Sequence, residues 1–141
     1  MFVDHQSREF AYSEKFDAEI AREKEKYIFL KPQLFMNRSG EVVQRVMQFY
    51  KVSLNDVYIV HDDLDILLGK YKLQKAIGPK LHNGLSSVEE RLGTPDFWRL
   101  RIGVENRGGE NKPSGERYVL SDFTPNEKEI ITSLFKEIPL L

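Results

Sequence analysis

The sequence predicts an α/β fold, a three-layer sandwich around a mixed, mostly parallel sheet. Apolar runs of strand length interleave along the chain with stretches of helical periodicity, which is the pattern of a layered α/β domain. The run Val57–Val60 has no polar alternation, as a strand buried on both faces of a parallel sheet requires. No internal repeat or low-complexity segment disturbs the alternation of elements.

The elements follow in order. Phe2, Val3 and Phe10 anchor an opening segment that reads as the tail of a helix. FDAEIARE, from Phe16, alternates apolar and polar residues, charged residues around Glu23 to Lys26 turn the chain, and YIFL runs on to Pro32, giving two paired strands. Val42, Val43, Val46, Met47, Phe49 and Tyr50 recur at helical spacing, and Val52 and Ser53 end that helix. The buried strand Val57–Val60 then runs into His61, Asp62, Asp63, Leu64 and Asp65. A strand over roughly Gly69–Gln74 precedes the loop AIGPKLHNG. A helix over Asn83–Leu92 has Asn83 as N-cap and Gly93 as stop. In DFWRLRIGVE, Phe97, Leu100, Ile102 and Val104 are apolar around Arg99 and Arg101, which makes a further strand. After the polar loop ENRGGENKPSGE, Thr124 caps a last helix containing Ile130, Ile131, Leu134 and Phe135, with Glu127 in the capping-box position.

A chain of 141 residues with 40% hydrophobic and 11% aromatic content has the size and the apolar content of one globular domain. The absence of cysteine removes disulfides, thiolate metal sites and thiol nucleophiles, and is compatible with a reducing cytosol. No run reaches the length of a membrane span, and MFVDHQSREF lacks the basic and apolar regions of a signal peptide, so the expected location is cytoplasmic. A net charge of −1 argues against bulk electrostatic coating of nucleic acid. A local patch remains, because Lys70, Lys72, Lys75 and Lys80 follow one another without an intervening acid.

Asp62 stands where the buried strand is expected to end, the place where open α/β sheets bind ligands, so its carboxylate can orient a catalytic group. With His61, Asp63 and Asp65 it can equally hold a divalent cation, or belong to a solvated turn. Asn37 and Asn83 lie at helix starts, where an Asn ordinarily caps backbone N–H groups. As a set, these two amides and the Asp62 carboxylate can instead meet one polar substrate. Phe35 and Met36 are either core anchors or an apolar wall facing that substrate. The four lysines either track a phosphate backbone or protect a strand edge. Of the candidate bases His5, His61 and His82, His61 should face away from Asp62 on a strand, and His82 is the better placed.

KPQLFMNRSG, VYIVHDDLD, LHNGLSSVEERLGTPDFWRLRIGV and, more weakly, GERYVLSDFTPNE together resemble the bacterial peptidyl-tRNA hydrolase family, in its order and with comparable spacing. The resemblance implies metal-free and cofactor-free cleavage of the ester joining a peptide to the terminal ribose of tRNA, by a monomer. It implies that Asp62 supports a catalytic histidine, that Asn37 and Asn83 bind substrate or position water, and that Phe35 lines the cleft; His82 and the four lysines stand beside these as candidate supporting residues from the residue pattern. In the family a first strand, a Gly-Asn-Pro-Gly loop and an Arg-His-Asn segment with that histidine precede the counterpart of MFVDHQ. The expectation is therefore an incomplete domain, trimmed at both ends and missing the first strand. IGPKL stands where the family has a glycine- and histidine-rich run. A tRNA-binding module without catalysis and a metal-dependent hydrolase built on residues 61–65 are the alternatives.

Overall fold

The computed structural model describes residues 2–7, 9–23, 25–78, 82–107 and 122–139. The fold is α/β, and the chain forms two compact units, Met1–Ile59 with Lys80–Trp98 and Val60–Pro79 with Arg99–Leu141.

The first unit opens with helix α1 (Phe2–Gln6) and continues into strands β1 (Ala11–Ser13), β2 (Ala18–Glu23) and β3 (Tyr27–Pro32), an antiparallel sheet in the order β1-β2-β3. The two expected paired strands are β2 and β3, in register from Ala18 opposite Pro32 to Glu23 opposite Tyr27. β1, three residues long, is too short to show a period, and it pairs with β2 through Ala11–Ser13. A 3₁₀ turn (Met36–Arg38) leads into α2 (Ser39–Tyr50). α2 stops because Lys51 turns left-handed at φ 55°, letting the Val52 N–H reach back to the Met47 carbonyl at 2.9 Å. Helix α3 (Asn83–Leu92) ends in the same way at Gly93, φ 71°.

Two apolar clusters hold this unit. Val42 and Val46 of α2 pack with Phe16 and Ala18, while Val43 packs with Val57, Leu85, Val88 and Phe97. α2 thus buries two adjacent stripes, which is why so many of its positions are apolar.

A second sheet, most of whose residues fall in the second unit, has the order β4-β6-β5, built from β4 (Tyr58–Leu67), β5 (Tyr71–Lys75) and β6 (Trp98–Glu105). Trp98 N–H to Val57 O and Leu68 N–H to Glu105 O advance along β4 and β6 in the same sense, that of a parallel pair. The strand buried on both faces is β6, with Arg99 through Val104 all buried. The sequence led to the opposite expectation. Tyr58–Val60 is only the start of β4, the strand at one end of that order, with Tyr58 39% exposed, and the arginines that made β6 look half-solvated are themselves buried. Gly103 lets β4 come close to β6, since a Cβ there would stand 2.1 Å from the Leu67 carbonyl oxygen. The last helix, α4 (Pro125–Glu137), starts at Thr124 with the expected capping box, Thr124 Oγ1 accepting from Glu127 N–H and Glu127 accepting from Thr124 N–H at 2.9 Å. Most of the loop ENRGGENKPSGE and most of GERYVLSDFTPNE lie outside the described residues.

Candidate functional site

The sequence favours Asn37 and Asn83 as caps at the starts of α2 and α3, and neither is one. Asn37 sits in the 3₁₀ turn and the residue flanking α2 is Arg38, which makes no side-chain cap. The Gly40 N–H of the first turn of α2 is satisfied instead by Ser87 Oγ at 2.9 Å. Asn83 is the first residue of α3, and its cap is His82, whose Nδ1 accepts from the Leu85 N–H at 3.2 Å. Accepting through Nδ1 leaves the ring proton on Nε2. Among the described residues, the exposed side chains of Asn37 and Asn83 make no hydrogen bond.

Contacts between α2 with its preceding turn and α3 climb both segments together. A Cβ on Gly84 would lie 3.1 Å from Met36 Cγ, Gly40 meets Ser87, and Gln44 Nε2 donates to the Arg91 carbonyl at 3.0 Å. The helices are therefore parallel, and their N-termini, with Asn37 and Asn83, stand at one end. Phe35, 83% exposed, and Met36, 56% exposed, border that end, so Phe35 is not the core anchor that such a residue more often becomes. Glu41, in the first turn of α2, takes ion pairs from Arg38 at 3.0 Å and Arg91 at 3.1 Å. The Arg38 hydrogen bond, then the charges of Arg38 and Arg91, hold its carboxyl below the ordinary value.

In the second unit Asp62 is the fifth residue of a ten-residue strand and not its end. HDDLD reads as a turn, yet it continues β4 because the inward Asp63 is neutralised: its Oδ2 accepts from Arg101 Nε at 2.7 Å. His61 shares the buried face with Asp63, and Asp62 takes the other, half-buried face, as strand alternation requires. His61 Nδ1 donates to the Asp62 backbone carbonyl at 2.8 Å and so engages its peptide group. Among the described residues no group of three or more His, Asp or Glu side chains is placed to hold a metal ion. Lys70 and Lys72 are exposed and Lys75 is half-buried along β5, at the outer end of the strand order; Lys80 lies outside the described residues.

The model of one family, described as peptidyl-tRNA hydrolase, matches residues 1–139. The chain belongs to the peptidyl-tRNA hydrolase family. Curated peptidyl-tRNA hydrolases similar to it include that of Bdellovibrio bacteriovorus, 43% identical over 80% of this chain and 62% of that protein, and that of Bartonella quintana, 36% identical over 98% and 73%. The match to the Gluconobacter oxydans protein, 38% identical, covers 74% of this chain and 54% of that protein, so the chain spans little more than half the length of some relatives it matches. Among solved structures, the peptidyl-tRNA hydrolase of Acinetobacter baumannii superposes with a TM-score of 0.77 at 29% identity, over 96% of this chain and 71% of that one. Its Arg119Gln mutant gives 0.80.

Of the segments that resemble the peptidyl-tRNA hydrolase family, KPQLFMNRSG becomes the end of β3, the 3₁₀ turn and the start of α2, while NGLSSVEERL becomes α3. The sequence alone did not single out Ser87 or the capping role of His82. Ser87 acts on a residue 47 positions away, and no local pattern signals that. His82 is a less usual cap than the asparagine beside it. No helix among the described residues is long and apolar enough to cross a membrane.

Proposed function

We propose that this chain serves in hydrolysis of the ester between a peptide, or an N-blocked amino acid, and the 3′ ribose of tRNA. The observation that carries this reading is the release of Asn37 and Asn83 from capping: two exposed amides stand at one end of parallel helices while Ser87 and His82 do the capping. In the proposed reaction a histidine takes a proton from water as the water attacks the ester carbonyl. Amide N–H groups stabilise the oxyanion, and the ribose oxygen leaves with the proton returned by the histidine. Asn37 and Asn83 supply the amides or hold the peptide and acceptor end, and Phe35 lines the apolar side.

Asp62 orients the histidine, which the family carries in a segment ahead of the counterpart of MFVDHQ. His82 supports Asn83, and Lys70, Lys72, Lys75 and Lys80 meet tRNA phosphates. The reading takes the protein as a single-domain, cytoplasmic monomer that needs no metal or cofactor.

The deciding assay joins this chain to the histidine-bearing family segment and follows release of N-acetyl-aminoacyl groups from tRNA. Turnover that resists chelators and falls with Asp62→Asn is the expected outcome. Salt-sensitive tRNA binding with no turnover would replace the reading by a non-catalytic tRNA-binding module.

A further inference from the structure

Asn37 and Asn83 belong to different elements, so their separation is set by how the start of α2 meets α3. They approach closely at Gly40. A Cβ there would stand 2.1 Å from the Ser87 carbonyl oxygen, 2.5 Å from its carbonyl carbon and 2.9 Å from the Val88 nitrogen. All three are backbone atoms, so no side-chain rotation relieves the overlap, and only glycine fits. A polar bond fixes the same crossing, the buried Gly40 N–H donating to the buried Ser87 Oγ at 2.9 Å. Next to it the Asn37 turn lies on the Asn83 turn through Met36 and Gly84.

The choice of acceptor matters. A Ser or Asp at the cap position would satisfy the first turn of α2 locally, whatever α3 did. Arg38 occupies that position without a side-chain bond to the helix N–H groups, and the hydroxyl comes from across the helix seam. Completing the N-terminus of α2 therefore requires α3 at one height and one distance. A side chain that served only helix stability would not need this long-range arrangement.

We infer that Gly40 and Ser87 are positioning residues for substrate: together they set the spacing of Asn37 and Asn83, and so the affinity for the peptidyl end of peptidyl-tRNA. The inference rests on the reading of those two amides as substrate-binding. It is tested on the chain itself by the Kd for a tRNA carrying an N-acetylated amino acid in a non-hydrolysable amide link at its 3′ ribose. Ser87→Ala is expected to weaken binding roughly tenfold, and Gly40→Ala, which must push the helices apart by about an ångström, about 100-fold. Ser87→Thr keeps the hydroxyl and is expected to stay within about threefold of the parent. Val46→Ala opens a cavity in the other cluster under α2 and is expected to lower Tm with no change in Kd.

If Gly40→Ala fails to fold, the contrast between Ser87→Ala and Ser87→Thr still decides. Parental Kd for Ser87→Ala, where Asn37→Ala and Asn83→Ala do weaken binding, overturns the inference alone. A loss with Val46→Ala equal to that with Ser87→Ala overturns it as well, by showing general destabilisation. Parental Kd for Asn37→Ala and Asn83→Ala removes the substrate reading and the inference with it.

Discussion

Arg101 Nε lies 2.7 Å from Asp63 Oδ2, and both side chains are buried. The Arg101 Nη1 also donates to Gln74 at 2.7 Å, and Asp63 Oδ1 accepts from the Asp65 N–H at 2.9 Å, so both ions have neutral partners as well as each other. Removing one ion strands the other in the sheet. Arg101→Ala or Asp63→Ala is therefore expected to cost about 3–5 kcal/mol in urea unfolding. The double change Asp63→Leu with Arg101→Met should recover much of that loss, because replacing both partners leaves no unpaired charge. Additive single losses in the double variant would show that the pair is not coupled.

The cap of α3 gives a second, smaller effect. His82→Ala leaves the Leu85 N–H without its acceptor and is expected to cost roughly 1 kcal/mol, whereas His82→Asn, a good N-cap, should keep most of the stability. Hydrogen exchange at Leu85 measures this directly. Equal protection of that amide in the parent and in His82→Ala would remove His82 as the cap.

How much of this was legible in the sequence depended on how far each side chain reaches. The bounds of α3 and the start of α4 were readable to within a residue because their signals are local: Gly93 ends one, and Thr124 with Glu127 starts the other. The central strand was misplaced because its identity depends on a partner 38 residues away. Arg101 looks solvated until Asp63 is set beside it, and HDDLD looks like a turn until Arg101 neutralises the inward carboxylate. Residue types at the candidate site were legible, but which residues cap and which stay exposed was not. Ser87 and His82 take over the work that Asn37 and Asn83 would ordinarily do.

Stability against pH should carry the mark of two exposed clusters. Glu41, held below its ordinary 4.5 by the Arg38 hydrogen bond and the nearby arginines, and Asp4, held below 3.8 by its bond to Lys31, contribute stability above those values and lose it as pH falls through the lower folded ones. Lys31 has the opposite sign. Its hydrogen bonds to Asp4 and then Glu19 raise it above 10.5, so its contribution is full below that value and is lost as pH rises through the folded one. The stability gap between the parent and Glu41→Gln should therefore be open at neutral pH and close in acid, and be smaller at high salt. A gap unchanged at about pH 2, where carboxylates are largely protonated, would rule out this ionic origin.

Asp62 and His61 are neighbours on β4 with side chains on opposite faces, Asp62 half-buried and His61 buried. If Asp62 orients the histidine of a peptidyl-tRNA hydrolase, Asp62→Asn in the chain joined to the histidine-bearing segment should lower kcat by about 10²- to 10⁴-fold, with KM nearly unchanged, because a wrongly oriented or wrongly protonated imidazole still lets substrate bind. His61→Gln removes a buried ring and is expected to lower Tm while leaving kcat within about threefold of the parent. Asn37→Ala should show the reverse kinetic split, a rise in KM larger than its loss of kcat, since binding contacts are made before the transition state. A loss of kcat for His61→Gln as large as that for Asp62→Asn would transfer the supporting role from the half-buried carboxylate to the buried ring.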